Sequence, residues 1–169
     1  MLDIHCHLLP GIDDGACTME QALELARFAS DDGITRMVLI PHIQPGSENM
    51  IRWLHSQDIG CVIAHPERNK ELMRNIDKLL PYMHMGCELQ VTAASVAGKF
   101  GVAAQHVASQ LLERGWVKIL ATDAHNIHHR PPALAQGRAA AASLIDSSQA
   151  DKLVGDGPWM VAGGMFASV

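Results

Sequence analysis

The stretch Val117–His125, VKILATDAH, sets the pattern from which the fold can be read. Val117–Ala121 is an apolar run of strand length, and it passes directly into Thr122-Asp123-Ala124-His125, where polar side chains begin. The same succession recurs upstream. Met1–Ile4 runs into His5-Cys6-His7, Met37–Ile40 stops at Pro41 and delivers His42, and Cys61–Ala64 meets His65 and Pro66. Cys87–Val91 is a further run. Short apolar runs bounded by turn formers are what strands buried on both faces look like in sequence.

Helical patterns lie between them. Thr18 and Gln21 have the spacing of a capping box at the head of a helix that Gly33 ends. Further helices are expected over about Met50–Asp58, within Glu67–Met85, over about Val102–Arg114 with Gly115 as its stop, and from Pro131-Pro132 through the Ala-rich stretch. Leu8–Ala16 and Ile43–Asn49 read as loops, and Asp156–Val169 as a Gly-rich tail. Strands alternating with helices predict an α/β fold around a parallel sheet. In such folds the functional groups gather at the C-terminal strand ends. The polar residues that follow these strands should therefore share one rim.

The chain has 169 residues, which predicts a single domain over 1–169. Its hydrophobic content of 48% supports a sizeable core, made aliphatic by an aromatic content of only 4%. A net charge of −5 argues against nucleic-acid binding and against an anionic membrane surface. No apolar run reaches spanning length, so no membrane insertion is expected. Cys6, Cys17, Cys61 and Cys87 form no CxxC pair, and MLDIHCHLLPG has neither the basic nor the apolar region of a signal peptide. Both point to a cytoplasmic protein with reduced thiols.

Ten histidines against thirteen Lys and Arg decide where chemistry is sought. His5 and His7, two apart on an extended segment, present imidazoles on one side. Asp123 and His125 repeat that geometry with a carboxylate, a donor pair suited to Mn, Fe or Zn. Either pair alone is as readily chance or loop capping; together they point to a metal. His42 and His65 each follow a strand and neighbour a proline, and Asp14 lies in an Asp-Asp-Gly turn. Arg68 and Arg130 follow shortly after candidate ligands, and an arginine fork matches phosphate. Adjacent metal ions lower the pKa of bound water, align the attack and neutralise phosphoryl charge, so phosphate-ester hydrolysis fits. Cys6 as a nucleophile lacks the Arg-rich loop that a cysteine phosphatase folds around its thiolate. His84 and His106 fall in helical stretches and read as surface or packing residues.

The run DIHCHLLPGIDDGA (3–16) closely resembles the start of bacterial tyrosine-protein phosphatases of the polymerase-and-histidinol-phosphatase (PHP) superfamily. IAHPERN (63–69), QVTAAS (90–95), TDAHN (122–126) and Arg130-Pro131-Pro132 continue the likeness in family order to about residue 155, and the tail beyond matches weakly. The resemblance implies a distorted (β/α) barrel with a site for two or three metal ions, usually Mn²⁺, with Fe or Zn as alternatives. It implies removal of phosphate from tyrosines in the tail of a bacterial tyrosine kinase that controls capsule or exopolysaccharide synthesis. On this likeness His5 and His7 share one metal with Asp123, while Asp14, His42 and His125 hold another and His65 serves a third. Arg68 and Arg130 hold the phosphate.

The family pattern also implies a long stretch between Pro41-His42 and HPER, containing strand, helix and a glutamate that bridges two metals. Only Ile43–Val62 intervenes here, so the barrel is expected to be shortened after about residue 43, with Glu48 the only nearby carboxylate. Losing a barrel strand exposes two edges, which must close differently or pair with another chain, and a homo-oligomer is left open. Three readings follow: an active phosphotyrosine phosphatase, a catalytically impaired paralogue acting as a binding module, and a phosphatase for a small phosphomonoester such as histidinol phosphate.

Overall fold

The computed structural model describes residues 2–6, 18–21, 23, 36–39, 47–56, 60–123 and 134–163, with backbone alone for 2–6, 36–39, 162 and 163. The described strands are β1 (Leu2–Cys6), β2 (Arg36–Leu39), β3 (Val62–Ala64), β4 (Glu88–Thr92) and β5 (Val117–Ala121). The described helices are α1 (Ser47–Ser56), α2 (Leu80–His84), α3 (Ala93–Val96), α4 (Val102–Glu113), α5 (Ala135–Ala142), α6 (Ser147–Val154) and α7 (Asp156–Gly163). Two compact units result: Met1–Ala64 with Leu79–Glu88, and His65–Lys78 with Leu89–Val169.

In the first unit β1 and β2 pair in parallel, with Leu2 opposite Arg36 and Cys6 opposite Leu39. The strand thus carries His5 within it rather than after it. Helix α1 buries Ser47, Ile51 and Leu54 on one face. Cys61 and Cys87 are buried, as expected of small core residues, and their side chains hydrogen-bond each other. That bond, with burial, pushes the Cys61 thiol well above the usual range, and the same bond, opposed by burial, draws the Cys87 thiol down. At Thr18 the capping expectation holds: its Oγ1 accepts from the Gln21 N–H at 3.3 Å.

The second unit is built on β4 and β5, which run parallel with Thr92 opposite Ala121. Leu89–Thr92 is buried throughout, the pattern of a strand covered on both faces. Helix α4 buries Ala104, Val107, Ala108, Leu111 and Leu112, a stripe of helical period. The predicted α/β class with parallel strands is therefore the one observed.

Four local expectations need correction. Helix α1 begins at Ser47, so Ser47–Asn49 is helical rather than loop, and Glu48 in its first turn suits the helix dipole. Within Glu67–Met85 the helical expectation is met only in pieces, with 3-10 turns at Pro66–Arg68 and Ile76–Leu79 before the short α2. The cause is two asparagines. Asn69 Oδ1 accepts from the Glu71 and Leu72 N–H groups, and Asn75 Oδ1 accepts from Asp77 N–H, offering the backbone an alternative to the helix ladder. The Ala-rich stretch is helical as expected and ends at Ala142, and a further helix absent from the expectations starts where the Asp146 carboxylate accepts the Gln149 N–H at 2.8 Å.

The fourth is the tail, whose Asp156–Gly163 portion is helix α7. Gly157 makes this possible: a Cβ there would lie 2.0 Å from the Lys118 carbonyl oxygen of β5. Glycine is thus required for the close approach of helix to strand backbone. Gly157→Ala is expected to lower unfolding stability by about 1–3 kcal/mol in urea denaturation. A loss below roughly 0.5 kcal/mol, the size of an ordinary surface change, would mean that α7 does not pack there.

Candidate functional site

The site grows from the rim where β4 and β5 end. Their register sets Thr92 level with Ala121, so Ala93–Ser95 and Thr122-Asp123 leave the sheet together. The His65 N–H donates to the Gln90 carbonyl at 2.8 Å, which ties the HPER turn to β4. His65 and Asp123 are each only 8% exposed, and both adopt left-handed backbone, at φ 38° and 52°. Non-glycine residues in that region are uncommon, and such strain gathers at functional sites where surroundings hold it.

Glu67 is the anchor of this rim. It is fully buried at 0% exposure, with Oε1 accepting from the Thr92 N–H at 3.1 Å and from the Ser95 hydroxyl at 2.6 Å. The HPER and QVTAAS motifs are therefore joined through one carboxylate. Burial pushes the Glu67 carboxyl above its usual range, opposed by the bonds from Ser95 and Thr92. Its Oε2 has no hydrogen-bond partner among the described residues. Glu67→Ala is expected to cost about 1–3 kcal/mol for each buried donor it strands, read by urea denaturation. Glu67→Gln, which keeps an acceptor oxygen, should cost less. Equal losses in the two variants would show that the bonds to Thr92 and Ser95 do not hold the rim.

Arg68 follows on the same 3-10 turn. Its backbone N–H donates to the His65 carbonyl at 3.0 Å, and its guanidinium forms a hydrogen-bonded ion pair with the Asp123 carboxylate. Arg68 thereby links two residues separated by more than fifty positions in sequence. Its buried Nε has no acceptor among the described residues, the nearest Glu67 oxygen lying at 3.9 Å. A guanidinium anchored at one end by Asp123 and still partly exposed is suited to receive an anionic oxygen. The guanidinium carbon also sits 4.8 Å from the centroid of the Phe100 ring.

Of the residues singled out in sequence, His65, Arg68 and Asp123 are thus brought together. The side chains of His5 and His7, and Asp14, His42, His125 and Arg130 altogether, lie outside the described residues. Among the described residues no three His, Cys, Asp or Glu groups converge on an ion. The buried imidazole-bearing and carboxylate-bearing residues at the rim are of the chemical kind that holds Mn, Fe or Zn. His84 and His106 are exposed, as expected. Glu67, Ser95 and Phe100 had no assigned role in the sequence. Their partners are remote, and only their place in the HPER and QVTAAS stretches could have drawn attention to Glu67 and Ser95.

The family model for capsular polysaccharide synthesis, CpsB/CapC, matches residues 1–59 and 48–161. The chain belongs to this CpsB/CapC family. It is 26% identical to tyrosine-protein phosphatase YwqE of Bacillus subtilis (strain 168) over 201 positions, covering 77% of this chain and 79% of that one. It is 25% identical to the putative tyrosine-protein phosphatase CapC of Staphylococcus aureus over 207 positions, covering 80% and 81%. Both alignments run over more positions than this CpsB/CapC chain has residues, so each relative carries residues with no counterpart here. Among solved structures it resembles one reported with YwqE of Bacillus subtilis and CpsB of Streptococcus pneumoniae, described as metal-dependent tyrosine phosphatases. The TM-score is 0.67 at 22% identity, covering 96% of this chain and 94% of that one, which establishes a shared fold.

Proposed function

We propose that this CpsB/CapC-family chain is a metal-dependent protein-tyrosine phosphatase, a phosphoric monoester hydrolase. Its substrate is phosphotyrosine in the tail of a bacterial tyrosine kinase that regulates capsule or exopolysaccharide synthesis. The observation that carries the reading is the Arg68–Asp123 pair at the rim, a partly exposed guanidinium held by a buried carboxylate. The names of the relatives support the same activity. In this reading His5, His7, Asp14, His42, His65, Asp123 and His125 hold two or three ions, Mn²⁺ foremost with Fe or Zn as alternatives. When bound, the metal supplies an activated water and screens the phosphoryl charge. Arg68 and Arg130 grip the phosphate and orient it for in-line attack. Asp123 holds the Arg68 fork in place before substrate arrives, and Glu67 holds the turn that carries it. The bond that breaks joins phosphorus to the phenolic oxygen, which leaves as tyrosine.

We take the whole of 1–169 as one PHP-type domain in the cytoplasm, its barrel shortened after about residue 43. The two-part family match and the alignments longer than the chain support the shortening. They equally favour a second reading, in which the chain binds the kinase tail without turnover because a bridging carboxylate is gone. Among the described residues no helix is long and apolar enough to cross a membrane.

Metal content separates the two. Purified protein incubated with Mn²⁺ and then desalted should retain at least one ion per chain, and its phosphatase activity should vanish with chelator and return with Mn²⁺. Retention near zero would sink the catalytic reading.

A further inference from the structure

The HPER turn and the GKFG turn meet at Arg68 and Phe100. Phe100 is 37% exposed, an unusual fate for one of only three phenylalanines in the chain. Its position is built rather than incidental. Gly98 at φ 78° and Gly101 at φ 90° flank Lys99-Phe100, a backbone course that side chains rarely allow. The turn is closed by the Gly101 N–H donating to the Gly98 carbonyl at 3.2 Å and by the Lys99 N–H donating to the Ala94 carbonyl at 2.8 Å. The Gln105 side chain adds a bond to the Val96 carbonyl at 3.1 Å. These contacts fix the loop that sets an aromatic ring over the guanidinium, where a cation is attracted to its face.

We propose that Phe100 selects the aryl group of the substrate, by contacting the ring of the phosphate ester whose phosphate Arg68 holds. The inference rests on the phosphatase reading and adds a specificity determinant to it. Phosphate oxygens on an arginine fork lie about 2.8 Å from its nitrogens. A single bridging oxygen then separates the phosphorus from the tyrosine ring. The Phe100 centroid lies 4.8 Å from the Arg68 guanidinium carbon; in the proposed pose the substrate ring turns back toward Phe100, to the roughly 4.5–7 Å over which aromatic pairs attract. The alkyl ester of phosphoserine has no ring to make this contact. Phe100 thus rewards aryl phosphates over alkyl ones through binding, independently of how well each leaving group departs.

Phosphonates test this without turnover, because their P–C bond is not hydrolysed. Affinities of the Mn²⁺-loaded full chain for phenylphosphonate and methylphosphonate are measured for the wild type, Phe100→Ala and Phe100→Leu. The wild type is expected to prefer phenylphosphonate by about 3- to 10-fold, the range of an aromatic pair. Phe100→Ala should bring the ratio near one, and Phe100→Leu should fall between. Both probes use Arg68 alike, so a mere loosening of Arg68 would weaken both and leave the ratio unchanged. An unchanged ratio in both variants, with phosphonates still bound, overturns the role of Phe100 while the phosphatase reading stands. No binding of either phosphonate to folded, metal-loaded wild type overturns both.

Discussion

Replacing Asp123 with Asn is expected to weaken Mn²⁺ retention by more than about 100-fold, because loss of a residue merely supporting a ligand already costs 10- to 100-fold. Phosphotyrosine hydrolysis should fall at least as far. Asn is chosen for a conformational reason. Asp123 occupies left-handed backbone at φ 52°, a region Asn enters at least as readily as Asp, so the turn should survive. What is removed is the negative charge, and with it the ion partner of Arg68 and the proposed anionic metal donor. Thermal melting would verify that the fold persists. A variant that melts like the wild type and keeps its activity within a few-fold would show that Asp123 is not a ligand.

Arg68→Ala is expected to lower kcat/KM for a phosphotyrosine peptide by roughly 10²- to 10³-fold, the range for removing one preorganised donor to a developing anion. Arg68→Lys should recover only part of this, since an ammonium is a point charge without the fork. The same substitution separates phosphate binding from metal binding. The Arg68 guanidinium pairs with the carboxylate that a metal would use, so removing it should not reduce Mn²⁺ retention. Loss of metal together with activity would recast Arg68 as a structural support of the centre, and unchanged activity would remove it from the site.

Much of the fold was legible because buried parallel strands write themselves as short apolar runs. Val117–Ala121 is β5 as read, and the Val102–Arg114 helix is α4 but for its last residue. The turn of Glu67–Met85 was not legible, because a helical pattern of apolar residues competed with asparagine side chains that bond nearby backbone. Helix α7 was hidden by the glycine that permits it: Gly157 reads as a breaker, yet it is needed against the Lys118 carbonyl. In the candidate site, His65 and Asp123 stood out by residue type just past strands, and Arg68 by its place one turn after His65. Glu67 did not, since its acceptor role depends on Thr92 and Ser95, which come near only when β4 is in place. The placement of Phe100 over Arg68 is likewise a product of folding that no local spacing encodes.

The central claim, that this chain assembles a working metal site, is tested most directly by hydrolysis of a phosphotyrosine peptide by the purified protein with Mn²⁺, with His5→Ala as the blank. The account predicts phosphate release that chelator stops and that the blank lacks. Release no greater than the blank, from protein shown to be folded by circular dichroism, would contradict it and leave a CpsB/CapC-family chain that binds without turnover.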